Sequence, residues 1–89
     1  MALFKIKATI MPKPGVNDPQ GEAIRGGLQS LQFDGVREVR AGKQIDVTVE
    51  AESQDAAIAE VERMCDQLLA NPVIEVFSVA AADAAEVQA

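Results

Sequence analysis

The sequence predicts an α+β domain: a ferredoxin-like β-α-β-β-α-β sandwich, with a four-stranded antiparallel sheet carrying two helices on one face. Three observations predict it. Period-two alternation of apolar and polar residues marks strands at the start, middle and end of the chain. Two intervening segments carry apolar residues at helical spacing behind Asp or Ser caps. Clusters of Pro, Gly and Asn separate these segments, as turns require.

The first strand spans Leu3 to Met11, with Phe4, Ile6, Ala8 and Ile10 on one face and Lys5, Lys7 and Thr9 on the other. Pro12 and Pro14 end it, because neither has a backbone N–H for the ladder. Asp18 caps the first helix and Pro19 opens it, a position where a missing N–H costs nothing. Ile24, Leu28 and Leu31 form its apolar stripe. Gly21, Gly26 and Gly27 each weaken a helix by roughly 1 kcal/mol relative to Ala, which suggests close packing against another backbone.

After an Asp34-Gly35 turn, Val36 to Ala41 is expected as the second strand, and Gly42-Lys43 as a hairpin turn into a third strand. In that third strand Ile45, Val47 and Val49 alternate with Gln44, Asp46, Thr48 and Glu50. Ser53 caps the second helix, with Ile58, Val61, Cys65 and Leu68 along its apolar stripe. Asn71-Pro72 is expected to end it through a left-handed Asn cap. Val73 to Ala80 completes the sheet. It is apolar on both sides, so the helix-free face is expected to be covered by self-association. The domain is expected to occupy residues 1–80 and the tail, 81–89, to fray.

Composition excludes more than it proposes. The 89 residues include no His, Trp or Tyr, and the net charge is −6. Missing His removes the commonest general base and the usual Ser–His and Cys–His dyads. The acidity and the scarcity of aromatics argue against nucleic-acid binding. Lys5 and Lys7 interrupt any leader-like apolar run, and no apolar stretch approaches the ~18 residues of a spanning helix, so a cytoplasmic chain with no membrane partner is expected. The charge is uneven. Residues 1–43 carry +3 and residues 44–89 carry −9, which can mark a partner surface or simply a solvated acidic helix.

Each chemical constellation has an ordinary structural reading beside it. Lys13 sits on a Pro-stiffened loop near a helix N-terminus, where it could meet an anion, although the segment also reads as a plain turn and cap. Arg37, Arg40 and Lys43 gather positive charge that could dock an acidic partner or remain solvated. Cys65 lies on an apolar stripe with Glu62 and Asp66 nearby, the setting of a core thiol and not of a nucleophile. Glu60, Glu62 and Asp66 read as a solvated face. No catalytic, cofactor-binding or metal-binding set is expected.

Three pieces together carry a resemblance: Pro12-Lys13 with Asp18-Pro19-Gln20-Gly21; Arg40-Ala41-Gly42-Lys43; and the run from Met64 through Asn71-Pro72-Val73-Ile74-Glu75. In order and spacing the chain resembles the PurS family, the small subunit of bacterial phosphoribosylformylglycinamidine (FGAM) synthase. It departs at Gln32, where the family usually has glycine at the helix exit, and in its alanine-rich tail beyond Val79. The resemblance implies a non-catalytic subunit of a glutamine-dependent, ATP-using ligase in purine biosynthesis. Such a subunit forms a dimer or dimer of dimers, joins a glutaminase subunit to a large synthetase subunit, and helps ammonia pass between them. ATP, magnesium and glutamine are then used by the partner subunits. Lys13, Asp18, Pro19, Gly21, Arg40, Gly42, Lys43, Asn71, Pro72 and Glu75 become expected partner contacts or structural anchors. The same order of elements also builds ACT-like modules that bind a small amino acid at a dimer interface, and that alternative stays open at the level of sequence.

Overall fold

The computed structural model describes residues 1–82. It is an α+β fold of five main elements: β1 (Ala2–Pro12), α1 (Pro19–Ser30), β2 (Lys43–Ala51), α2 (Gln54–Met64) and β3 (Glu75–Ala81). The strands form one antiparallel sheet in the order β2-β1-β3, with the first strand in the middle.

The register follows from the apolar alternation. Phe4, Ile6 and Ala8 lie opposite Val49, Val47 and Ile45 on β2. On the other side Ile6, Ala8 and Ile10 lie opposite Ala81, Val79 and Phe77. A slip of one residue would turn this entire set to solvent, so the pairing is strongly specified. α2 covers that face with Ala57, Val61 and Cys65, spaced four apart and fully buried. The opposite face is mixed: Lys5, Thr48, Asp46, Ser78 and Glu50 accompany an exposed Leu3 and Val76.

The expected caps form. Asp18 accepts from the Gly21 N–H and Ser53 Oγ from the Ala56 N–H, and Pro19 takes the first helical position.

Four expectations need correction. The sheet has three strands, not four, because residues 36–41 form no strand. Val36 and Val39 are three apart, so they have opposite strand parity and neither side of an extended segment could be apolar. Gly42-Lys43 is accordingly no hairpin turn; Lys43 already pairs with Ile10 as the first residue of β2. Nor do two helices share the sheet. α2 packs on all three strands, while α1 has no comparable packing on any element. The radius of gyration is 16.2 Å, against roughly 12 Å for a compact chain of this length.

The last correction lies at the exit of α2. Residues Cys65–Leu69 form a π turn closed by the Ala70 N–H on the Cys65 carbonyl at 3.0 Å. The wider turn brings Leu69 toward the core and leaves Leu68 82% exposed, so Leu68 does not belong to the stripe. Ala70 is extended there, and Asn71 takes no left-handed cap. β3 then begins at Glu75 and continues to Ala81, and the Ala82 N–H still reaches the Lys5 carbonyl at 2.9 Å. The remainder of the expected frayed tail, 83–89, lies outside the described residues. No helix among those described is long and apolar enough to cross a membrane.

Candidate functional site

All three strands end together. Pro12 lies opposite Glu75 and Ile10 opposite Lys43, so the exit of β1 and the entries of β2 and β3 share one edge of the molecule. Lys13, Asp18, Pro19, Gly21, Arg40, Gly42, Lys43, Asn71, Pro72 and Glu75 map to this end or to the base of α1 beside it.

The chain leaves β1 through Lys13-Pro14-Gly15-Val16. The Val16 N–H donates to the Lys13 carbonyl at 3.1 Å and Gly15 has φ +83°. Proline followed by a positive-φ glycine is the residue pattern of a type II turn. Asp18 follows and does two things with one carboxylate: Oδ1 accepts from the Gly21 N–H at 3.0 Å, and Oδ2 accepts from the Ala41 N–H at 2.9 Å. These two N–H groups hold its pKa below the usual aspartate range; partial desolvation opposes them, and the nearby Arg40 charge adds to them.

Arg40 closes the arrangement from the other side. Its guanidinium donates to the Pro12 carbonyl and to the Lys13 carbonyl, the latter at 3.0 Å. The segment leaving α1 is thus tied to the segment entering it. Two glycines make the approach possible. A Cβ on Gly21 would sit 2.3 Å from the Val39 carbonyl oxygen, and one on Gly42 would sit 2.4 Å from the Ile10 carbonyl oxygen. Gly26 and Gly27 face open space, so the expected close packing rests on Gly21 alone in that helix.

The last motif piece is a self-closed turn. Asn71 Oδ1 accepts from the Val73 N–H at 3.0 Å, and the Asn71 carbonyl accepts from the Glu75 N–H at 2.7 Å. Glu75 Oε1 returns the contact by accepting from the Asn71 N–H, also at 2.7 Å. The turn joins the rest through the Lys13 N–H, which donates to the Ile74 carbonyl at 2.8 Å. Pro72 and Lys43 are exposed beside it, and Val73 is 76% exposed.

Between the base of α1 and residues 37–40 lies an open cavity of about 470 Å³. Its charged lining is largely engaged: Glu22 pairs with Arg25, Asp18 caps the helix, and Arg40 binds backbone. Arg37 and Glu38 complete the lining and are exposed. Among the described residues no group of three His, Cys, Asp or Glu is placed to hold a metal ion. Cys65 is buried on the core side of α2. Burial first, then Asp66 and Glu62, push its thiol pKa up and keep it protonated. The Glu22–Arg25 pair was not among the candidates, although its spacing of three on a helix was readable. The Val39 carbonyl and Ala41 N–H had no side-chain signal by which to be found.

The geometry is that of a braced end built for holding shape and presenting surface. Residues 5–83 match the family model PurS, phosphoribosylformylglycinamidine (FGAM) synthase. The chain belongs to the PurS family. It is 52% identical over 63 residues to the PurS subunit of Synechocystis, a stretch covering 71% of this chain and 63% of that protein. With the Methanocaldococcus jannaschii PurS subunit it shares 40% over 77 residues, 86% of this chain and 93% of the relative. Solved structures agree. A chain in the structure of PurLQS from Thermotoga maritima superposes with a TM-score of 0.83 at 36% identity, covering 92% of this chain and all of that one. The M. jannaschii PurS crystal structure gives 0.78 at 38% identity, covering 89% and 95%.

Proposed function

We propose that this chain is the non-catalytic assembly subunit of FGAM synthase, joining a glutaminase subunit to an ATP-dependent synthetase subunit and supporting ammonia transfer between them. The observation that carries this reading is the superposition on a chain of the Thermotoga PurLQS structure over nearly the whole length of both. ATP, magnesium and glutamine are handled by the partner subunits, in the cytoplasm, and this chain supplies surface. The strand-end edge is the surface in question. Lys43, Pro72 and Val73 are exposed there and Lys13 is half-buried beside them, while Asp18, Gly21, Arg40, Gly42, Asn71 and Glu75 hold them in place. Pro19 begins the helix that Asp18 caps. Self-association, as a dimer or a dimer of dimers, completes the assembly and covers surface that one chain leaves open, including Val76 and Leu3 on the helix-free side of the sheet.

The test is to measure glutamine-dependent and ammonia-dependent FGAM synthesis separately, with and without this chain. Omission is expected to abolish the glutamine-dependent rate and to spare the ammonia-dependent one more. Unchanged glutamine-dependent turnover by the two larger subunits alone would refute the joining role.

A further inference from the structure

The open cavity of about 470 Å³ beside the base of α1 has the size of a small-molecule site. Its polar groups fall into two sets. Asp18 and Arg40 are spent on backbone, the carboxylate on the Gly21 and Ala41 N–H groups and the guanidinium on the Pro12 and Lys13 carbonyls. Glu22 and Arg25 hold each other in a solvent-facing pair, and such a pair opens at small cost. Arg37 and Glu38 make no hydrogen bond or ion pair among the described residues, and neither does the Asn17 carboxamide.

This lining selects the charge of its occupant. A lone anion finds no free donor at the helix start: Pro19 has no N–H, Gln20 and Gly21 turn theirs to the Asp18 carboxylate, and Glu22 gives its own to the Asp18 carbonyl. It would also meet Glu22 and Glu38. A lone cation would meet Arg25 and Arg37 in the same space. Like charges brought together cost affinity, so both are disfavoured. A molecule that carries both signs close together finds a partner for each. Arg37 presents the planar fork that a carboxylate accepts twice, and Glu22 and Glu38 are acceptors for an ammonium. Val16 and Val39 add short apolar walls, and among the described residues no aromatic side chain lines the cavity to stack a base.

We infer that this cavity binds a free α-amino acid with an uncharged side chain, its carboxylate on Arg37 and its ammonium between Glu38 and Glu22. Bound there, the ligand spans the start of α1 and the returning residues 37–40, the same two parts that Asp18 and Arg40 brace. The site is formed by one chain, so the inference goes beyond the joining role and does not rest on it.

The experiment is a titration of the full chain with L-glutamine, followed by two-dimensional amide NMR spectra. Saturable shifts are expected at the Asn17, Arg37 and Glu38 amides, with a Kd on the order of 1 mM. No saturable shift at these amides up to about 50 mM would overturn the site. N-acetylglutamine has no ammonium and glutamine amide has no α-carboxylate; each is expected to bind about tenfold more weakly or worse. Equal binding of either would overturn the two-charge reading. Arg37→Gln and Glu38→Gln replace exposed side chains, and far-UV circular dichroism checks that the fold is kept. Each is expected to weaken glutamine binding by about tenfold, and unchanged affinity in either would overturn the placement. None of these outcomes depends on the synthase partners, whose joining is read separately by the omission assay.

Discussion

In the sheet, α2 and the turn that follows it, Ile6, Ile10, Val61 and Cys65 are completely buried, whereas across residues 13–42 Gly21 alone is buried. The two regions hold their shape by different physics. The body depends on apolar area removed from water, with three strands and a helix converging on one face. Residues 13–42 form an arm that depends on a few hydrogen bonds and two close backbone approaches at its root, at Gly21 and Gly42, and leaves its apolar stripe outside.

The sharpest way to break this comparison is to truncate one apolar side chain in each region. Ile6→Ala should cost about 3 kcal/mol, since the cavity opens where three strands and α2 meet. Leu31→Ala should stay within about 0.5 kcal/mol at dilutions that keep the chain monomeric. Urea unfolding followed by far-UV circular dichroism checks both, the sequence having no Trp or Tyr to follow by fluorescence. Equal losses would mean that the arm is packed in the free chain.

A smaller pair of effects, opposite in sign, is expected at the two ends of α1. Gly21→Ala drives a Cβ into the Val39 carbonyl and should destabilise by about 1–3 kcal/mol. Gln32→Gly should stabilise by about 1 kcal/mol, because Gln32 holds φ 73°, a left-handed conformation that a side chain disfavours. The same denaturation curves report both.

The mildest effect is confined to acid. Asp18 has a lowered pKa in the folded chain, so the stability it contributes is complete above the ordinary aspartate value of about 3.9 and is lost as pH falls through the lowered one. The protection of the Gly21 and Ala41 amides, measured against the intrinsic exchange rate at each pH, should therefore hold from neutral pH downward and fall only below about pH 4. In Asp18→Asn, exchange at these two amides should no longer follow that acid step.

The body was legible from residue pattern. The alternations Phe4-Ile6-Ala8-Ile10 and Ile45-Val47-Val49 are periods that only a half-buried strand satisfies, and Asp18-Pro19 and Ser53 are caps with local causes. The arm was not, because its form depends on distant backbone. Nothing in Val36 to Ala41 says that an Asp18 oxygen will take its last N–H. The Leu68 misplacement has the same origin: one π turn advances the helix by a residue, and helical spacing cannot foresee it. The candidate residues were found as motif pieces, and their clustering is intelligible only once β1 lies between β2 and β3. Gln32 is the reverse case. Its place at a helix exit was readable, and the structure supplies the reason glycine suits it: the Phe33 N–H on the Leu28 carbonyl and the Gln32 N–H on the Gln29 carbonyl close a Schellman motif around it.

The central strand is the first to be synthesised and the last to be completed. β1 must wait for Lys43–Ala51 on one side and for Glu75–Ala81 on the other before its ladder is full. Contacts of such wide sequence separation make folding slow relative to chains with local pairing. They also set an order of events on the ribosome. Until the final strand emerges, Lys13 has no Ile74 carbonyl to bind and the Asn71–Glu75 turn has no sheet to join. An incomplete chain therefore cannot display the finished strand-end edge: topology alone withholds it until the last strand is in place.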